Sequence, residues 1–305
     1  MAMIASNATV TGNEWGELLL PILRDVFDKH IDKLPDYVPQ IYTVENSKKA
    51  QEFSKGVGSM GLMDKWSDSG NQVSYETVYA GYTQTWTHEK FSKGLKIERE
   101  LMDDALYPEV KNRVQTLADS LYYTRQYWAA YMFNNATSYV GPDSVAFASA
   151  SHPLGPNNSA VWSNYDSSKA LDAENVEAIR VEMMEWKDDK GNILAVNPDT
   201  LIVPPALRKA ALVIADSDGE PDTSDNNVNI WRGAVKVIEW KFLTNSSRWF
   251  FADSQRMKRF LVWFDRRKGK LEKDVDFDTE YSLYKTVARW SFGYRDPSFC
   301  YIAGA

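Results

Sequence analysis

The chain has 305 residues, of which 44% are hydrophobic and 25% are charged, a composition that excludes a disordered or fibrous protein. The net charge of −7 argues against binding nucleic acid or anionic lipid over the whole surface. The single cysteine, Cys300, excludes an intrachain disulfide framework and a multi-cysteine zinc site, and favours a small buried side chain. We find no signal peptide and no apolar run of the roughly 20 residues that a membrane span needs, so we expect a soluble, cytoplasmic product.

The N-terminal region predicts a helix followed by an extended arm. Apolar residues recur at helical spacing from Trp15 to Phe27, with Pro21 inside the run. The segment from Tyr37 to Val44 contains two prolines, which suit an arm or an edge strand better than a central strand. We therefore expect this extended segment to form an arm that lies on something else.

Residues 48–88 predict a long β-hairpin. A β pattern runs from Gln72 to His88, and the parity of its bulky side chains switches at Gly81, which predicts a β-bulge there. The expected partner strand lies between Ala50 and Met60. A hairpin with so few bulky apolar residues around its tip cannot form a core alone, so we expect it to lean on a neighbouring subunit.

A long helix and a long strand are predicted next. Apolar residues at three- and four-residue spacing between Leu101 and Asn135 predict a helix of about 26 residues, roughly 39 Å long. Alternation from Tyr284 to Arg295 predicts a strand of about 12 residues, roughly 40 Å long, and the two elements are expected to pack as a spine. Between them we expect a helix after Asp172, a turn at Asp188–Asn192, a strand at Thr200–Val203, a helix at Ala206–Ala215, and strands at Val235–Trp240, Trp249–Ala252 and Phe260–Phe264.

The motif that most resembles a cofactor-binding site is the G-x-G-x-x-G run at Gly56–Gly61. A dinucleotide site requires a buried strand before such a motif and a helix directly after it, so that the pyrophosphate meets helix-terminal N–H groups. Neither flank of Gly56–Gly61 has that pattern. We therefore favour a flexible hairpin loop and keep a dinucleotide-binding enzyme as an unfavoured alternative.

Other arrangements for catalysis or metal binding are weak. The acidic run Asp216–Asp222 lacks the glycine and the glutamate that a calcium loop needs at its sixth and twelfth positions, so we expect a solvated loop. Ser151 and His152 are adjacent in sequence, which does not allow their side chains to meet as nucleophile and base. We expect no catalytic, cofactor-binding or metal-binding residues, and no cofactor.

Several short runs occur in an order and at a spacing that are hard to obtain by chance. They are Tyr79–His88, Lys96–Tyr107, Ser151–Leu154, Leu201–Leu207, and the ending Asp276–Asp278 with Ser291–Pro297. Together they resemble the major capsid proteins of tailed bacteriophages, and more narrowly the Mu-like head subunits with the Hong Kong 97-type fold. The resemblance runs from about Tyr42 to Tyr301.

The resemblance implies an α+β fold with an N-terminal arm, an extended loop, a peripheral domain with a long spine helix, and an axial α/β domain. The corresponding ranges are 1–47 for the arm, 48–88 for the extended hairpin loop, 89–140 for the peripheral domain with the spine helix, 141–255 for most of the axial domain, and 256–305 for the strands that return to the peripheral domain.

The resemblance also implies a structural protein and not an enzyme. Its copies would form pentamers and hexamers that close into an icosahedral phage head around double-stranded DNA, in a virion assembled in the cytoplasm of the bacterial host. Implied partners are further copies of the chain, the portal, scaffolding or decoration proteins, and packaged DNA contacted only non-specifically, with no membrane. An encapsulin-type nanocompartment shell is the nearest alternative, since it shares the fold.

The chain is 13% aromatic, with 11 tryptophans. Large aromatic surface goes either to a core or to subunit interfaces, and composition alone does not choose between them. The resemblance places the subunit interfaces on the arm and the extended loop. The candidate interface residues there are Trp15, Tyr42, Gly58, Trp66, Tyr75, Tyr79, Tyr82 and Trp86.

Overall fold

A computed structural model of the chain describes residues 12–63, 65, 73, 75, 77–98, 101, 107–219, 229–275 and 281–304. The chain divides into two compact units, each assembled from three chain segments. The first unit comprises Met1–Asp36, His88–Gln126 and Asp265–Trp290, and the second comprises Tyr37–Thr87, Tyr127–Phe264 and Ser291–Ala305.

The described elements mix helices and strands, as expected for the α+β class. The helices are α1 (Gly12–Lys33), α2 (Val38–Ile41), α3 (Tyr107–Asn134), α4 (Ala173–Met184), α5 (Arg208–Asp216) and α6 (Ser254–Phe260), with a 3₁₀ turn at Pro205–Leu207. The strands are β1 (Thr43–Asn46), β2 (Gln51–Val57), β3 (Ala80–Thr87), β4 (Glu89–Ile97), β5 (His152–Gly155), β6 (Asn158–Trp162), β7 (Tyr165–Asp166), β8 (Thr200–Val203), β9 (Lys236–Glu239), β10 (Trp249–Ala252), β11 (Leu261–Arg267), β12 (Leu271–Val275), β13 (Ser282–Tyr294) and β14 (Cys300–Ala303).

The long helix and the long strand are both confirmed, as α3 with 28 residues and β13 with 13 residues. The predicted start of the helix after Asp172 is also confirmed. The Asp172 side chain accepts a hydrogen bond from the Asn175 backbone N–H at 2.7 Å, which satisfies one of the free N–H groups in the first turn of α4.

Two extended segments are shorter than predicted. The Tyr37–Val44 prediction is wrong over Val38–Ile41, which forms α2, because Pro39 lies in the first turn of that helix, where a missing N–H costs nothing. The strand predicted from Gln72 begins, among the described residues, at Ala80, which pairs with Val57 at the end of β2. Residues 72, 74 and 76 of the predicted strand lie outside the described part of the chain.

The first unit packs helices against a three-stranded antiparallel arrangement. In β13, Ser282 lies opposite Ile97 of β4 on one edge and opposite Val275 of β12 on the other. Because β13 pairs with a neighbouring strand along each edge, it is the central strand in this part of the unit. The buried core consists of Leu23, Phe27, Ile97, Val110, Val114, Leu117, Ala118, Leu271 and Tyr284.

Tyr284 introduces a buried hydroxyl into this core. The side chain is 1% exposed, and the hydroxyl has no hydrogen-bond partner among the described residues. Burial raises the pKa of Tyr284 from its ordinary value of 10.0 to about 12. The folded chain therefore keeps this proton up to about pH 12 while the unfolded chain loses it near pH 10, so the free energy of unfolding falls between these values by up to about 3 kcal/mol.

We expect Tyr284→Phe to raise the free energy of unfolding by about 1 kcal/mol at neutral pH, because it removes a buried polar group that lacks a partner. The variant should also lose less stability than the wild type between about pH 10 and about pH 12, because phenylalanine has no hydroxyl proton that the unfolded chain could lose. Urea denaturation of both proteins at neutral pH and at about pH 11 measures the two effects. Destabilisation at neutral pH would contradict the prediction.

The second unit contains a five-stranded sheet in the order β7-β14-β10-β8-β9. Every residue of the central strands β8, β10 and β14 is buried, which explains why these strands read as continuous apolar runs without alternation. Cys300 in β14 is fully buried, and burial raises the pKa of its thiol well above its ordinary value. The thiol is therefore unreactive, and the prediction of a buried structural cysteine is confirmed.

Aromatic side chains fill a second part of this unit, with Phe133 of α3 at the centre. The Phe133 ring is fully buried, and it lies 5.1 Å from the ring of Phe250 and 5.2 Å from that of Trp240, measured between centroids. The rings of Tyr42 and Phe147 lie 6.4 and 5.8 Å from the Phe133 ring, again between centroids. Much of the high aromatic content is therefore used in the interior of a single subunit.

Candidate assembly surface

Strands β2 and β3 form the predicted hairpin. Their antiparallel register runs from Gln51 opposite Thr87 to Val57 opposite Ala80. Between these ends the single residue Gly56 faces both Gly81 and Tyr82, so the predicted bulge at Gly81 is confirmed. A Cβ atom at Gly81 would lie 2.8 Å from the carbonyl carbon of Gly56, a distance that only glycine permits.

The outer half of the hairpin exposes large apolar side chains. Tyr75 is 93% exposed and Met63 is 99% exposed. Scattered exposed apolar residues are ordinary, whereas a group of them marks an interaction site because water contact with each costs free energy. We call this group the hairpin surface; it consists of Phe53, Val57, Met60, Leu62, Met63, Val73, Tyr75, Val78 and Tyr79.

Two of the candidate interface residues are buried inside the second unit. The Tyr42 hydroxyl donates a hydrogen bond to the Ala129 carbonyl at 2.7 Å. Trp86, at the base of the hairpin, packs with Val262 and Phe264 in a small apolar cluster. Both side chains anchor the subunit internally, so we leave them out of the proposed contact surface.

The other candidates lie in different places. Tyr75 and Tyr79 belong to the hairpin surface, while Gly58 and Tyr82 are partly buried on the same hairpin. Burial, with the nearby charge of Asp143, raises the pKa of Tyr82 above its ordinary value. Trp15 lies in α1, and Trp66 lies outside the described residues.

The candidate interface residues did not include Phe53 or the aliphatic members of the hairpin surface, and the expectation of few bulky apolar residues around the hairpin tip was wrong. Phe53 and Val57 lie on the same strand as the glycine motif, and Met60 to Met63 follow directly. The available signal was the presence of several apolar side chains in and directly after a strand that has no core of its own. Such residues have no core of their own to enter.

His152 is part of a buried hydrogen-bond network. Its Nδ1 lies 2.5 Å from Asp143 Oδ2, and its Nε2 lies 3.1 Å from Asn164 Oδ1. The Asn164 oxygen also accepts from the Ser149 N–H, so it is an acceptor and His152 Nε2 must donate to it. Both ring nitrogens are therefore engaged, and the network fastens the loops around β5 and β6.

The glycine motif does not have the geometry of a dinucleotide site. Gly56 lies within β2, a largely exposed strand, and residues 58–63 are not helical. Within the described ranges, no group of three or more His, Cys, Asp or Glu side chains could hold a metal ion. None of the described helices combines the length and the apolarity that crossing a membrane would require.

Solved structures similar in fold to this chain include two capsids and a virus-like particle. The chain aligns with the capsid of bacteriophage JBD30 at a TM-score of 0.57 and 13% identity, over 79% of this chain and 97% of that one. It aligns with a virus-like particle from Pyrococcus furiosus at a TM-score of 0.55 and 10% identity, over 92% and 97%. It also aligns with the capsid of an empty GTA particle at a TM-score of 0.53 and 15% identity, over 89% of this chain and 91% of that one. No curated protein sequence matches the chain.

The sequence itself matches the model of a protein family described as phage capsid protein, over residues 81–303. This range contains most of both units, from the bulge of β3 to the end of β14. The predicted α+β capsid fold is thus confirmed, and the chain is a structural protein. It belongs to the phage capsid protein family.

Proposed function

We propose that copies of this chain assemble as pentamers and hexamers, and that the hairpin surface is the contact between neighbouring subunits. The resulting shell encloses double-stranded DNA in the virion, and its assembly takes place in the cytoplasm of a bacterial host. The ranges 1–47, 48–88, 89–140, 141–255 and 256–305 serve in this proposal as arm, extended loop, peripheral domain, main part of the axial domain and return strands.

The observation that carries the proposal is the exposure of the hairpin surface. In the single chain these apolar side chains face water, although full burial of each would stabilise the protein by about 1.5–3 kcal/mol. A second copy of the chain is the partner that a shell subunit always has beside it. Contacts of this kind repeated between all neighbours would favour the closed shell over the free subunit.

The acidic charge suits a container for DNA. With a net charge of −7, the subunit has little general attraction for phosphate, so packaged DNA would touch the lining only non-specifically. A portal, and scaffolding or decoration proteins, complete the proposed set of partners.

Expression of the full chain alone tests the proposal. We expect size-exclusion chromatography to give a fraction far larger than the 34.8 kDa subunit, and negative-stain electron microscopy to show rings or closed shells in it. A stable monomer at all concentrations would contradict assembly through the subunit's own surfaces. Shells from the natural source that hold a protein cargo in place of DNA would favour the encapsulin-type alternative.

A further inference from the structure

The hairpin is fixed to the rest of the second unit at two separate points. At its base, Trp86 packs on Phe264 with ring centroids 5.4 Å apart. Near its outer end, the Ser59 backbone N–H donates to Asp189 Oδ1 at 3.0 Å. A β-ribbon held at one end can swing, whereas a ribbon held at both ends has one orientation.

The Asp189 side chain lies between two glycines. A Cβ atom at Gly58 would be 2.7 Å from Asp189 Oδ2, and a Cβ atom at Gly155 of β5 would be 3.0 Å from Asp189 Cβ. The backbone carbonyl of Asp189 accepts from the Asn158 side chain at 2.9 Å, which holds the acid against the β5–β6 pair. This contact accounts for the second glycine of the G-x-G-x-x-G run: its missing side chain leaves room for the carboxylate.

Asp188 makes a second contact with Ser59, through a hydrogen bond from the Ser59 side chain. Burial acts to raise its pKa, but hydrogen bonds from the Ser59 side chain and from the Asn192 and Lys190 backbones stabilise the carboxylate, so the pKa of Asp188 lies below its ordinary value. The Asp188 N–H donates to the Asn192 carbonyl at 2.8 Å, which closes the turn that carries both acids. A hydrogen-bonded turn therefore presents two carboxylates to Ser59.

We propose that Asp189 is a positioning residue for assembly: it fixes the outer end of β2 on its own subunit, so that the hairpin surface meets a second copy of the chain in one orientation. The inference rests on the proposed function of that surface. A fixed hairpin loses less conformational entropy when the contact forms, which speeds and strengthens assembly.

Hydrogen–deuterium exchange of the full chain tests directly whether Asp189 fixes the backbone at Ser59. We expect Asp189→Ala to speed exchange of the peptide containing Ser59 about tenfold, because a hydrogen bond to a charged acceptor is lost. Asp189→Asn keeps an acceptor oxygen of the same shape and should exchange more slowly than Asp189→Ala. Peptides from β8 and β10 should exchange as in the wild type, which controls for the fold. Unchanged exchange around Ser59 in Asp189→Ala would overturn the inference.

A second variant reaches the same contact from the other side. Gly58→Val inserts a side chain where the Asp189 carboxylate lies and changes no residue of the Asp188–Asn192 turn, so it should also speed exchange around Ser59. If Asp189→Ala fails to fold, this variant decides the question. Slow exchange around Ser59 in Gly58→Val would count against the hold.

Particle yield separates this inference from the proposed function. We expect Asp189→Ala to lower the yield of particles about tenfold while the subunit stays folded. Faster exchange with a wild-type yield would overturn the assembly role of Asp189 and leave the proposed function standing. Absence of particles from the wild type would overturn the proposed function, and with it the assembly role, whereas the exchange rates would still report whether Asp189 holds the hairpin.

Discussion

A chain carrying Phe53→Ser, Val57→Ser and Tyr79→Ser together is expected to fold but to form no particles. All three side chains are more than half exposed in the single subunit, so their loss removes little from its own core. Each contributes about 1.5–3 kcal/mol where it becomes buried between copies, and a shell repeats the contact at every neighbour. Size-exclusion chromatography and negative-stain electron microscopy should therefore show a shift from large particles to free subunits.

A variant with two substitutions elsewhere in the second unit controls for general loss of apolar surface. Val161→Ser and Ile193→Ser remove two exposed apolar side chains of the second unit that lie off the hairpin. We expect this variant to keep more particles than the hairpin variant. Wild-type particle yield from the triple hairpin variant would show that the hairpin surface is not the contact between subunits.

Phe133→Ala is expected to lower the free energy of unfolding by about 3–5 kcal/mol, the largest stability effect that we predict. The ring is fully buried and contacts four other aromatic rings, so its removal leaves a cavity that large, rigid neighbours cannot fill. Natural domains are stable by only about 5–15 kcal/mol, so the variant should lie close to unfolding at physiological temperature. Denaturation with guanidinium, followed by tryptophan fluorescence, measures the change.

Phe133→Leu separates the cavity from the change of residue. Leucine restores much of the lost volume, so we expect this variant to lose about 1–2 kcal/mol. A loss below about 1 kcal/mol for Phe133→Ala would mean that the surrounding rings close the cavity, contrary to the prediction.

Local sequence patterns correctly predicted the elements in which one pattern recurs over many residues. The three- and four-residue spacing before Asn134 predicted α3, and the alternation after Ser282 predicted β13, because each pattern extends over many residues. The prediction of a short element failed where one residue type is compatible with two kinds of structure. Pro39 suits an extended arm and the first turn of a helix equally, and only packing around Val38 and Ile41 chose the helix.

The candidate surface was predicted less completely than the fold. Sequence reasoning found the hairpin and its bulge, since a glycine at a parity switch has a local cause. It could not sort Tyr75 and Tyr79 from Tyr42 and Trp86, because an aromatic residue fits a core and an interface equally well. Exposure depends on which distant residues pack around each ring, and that is a property of the tertiary structure.

The sequence by itself determined the class of protein, the order of the main elements and the resemblance to phage head subunits. These follow from composition, from periodicity along the chain and from short runs of residues. Only the tertiary structure decided that Asp189, about 130 residues away in sequence, meets Ser59 of the hairpin. Contacts of that kind arise when separate segments are packed together, and no local pattern in either segment specifies its partner.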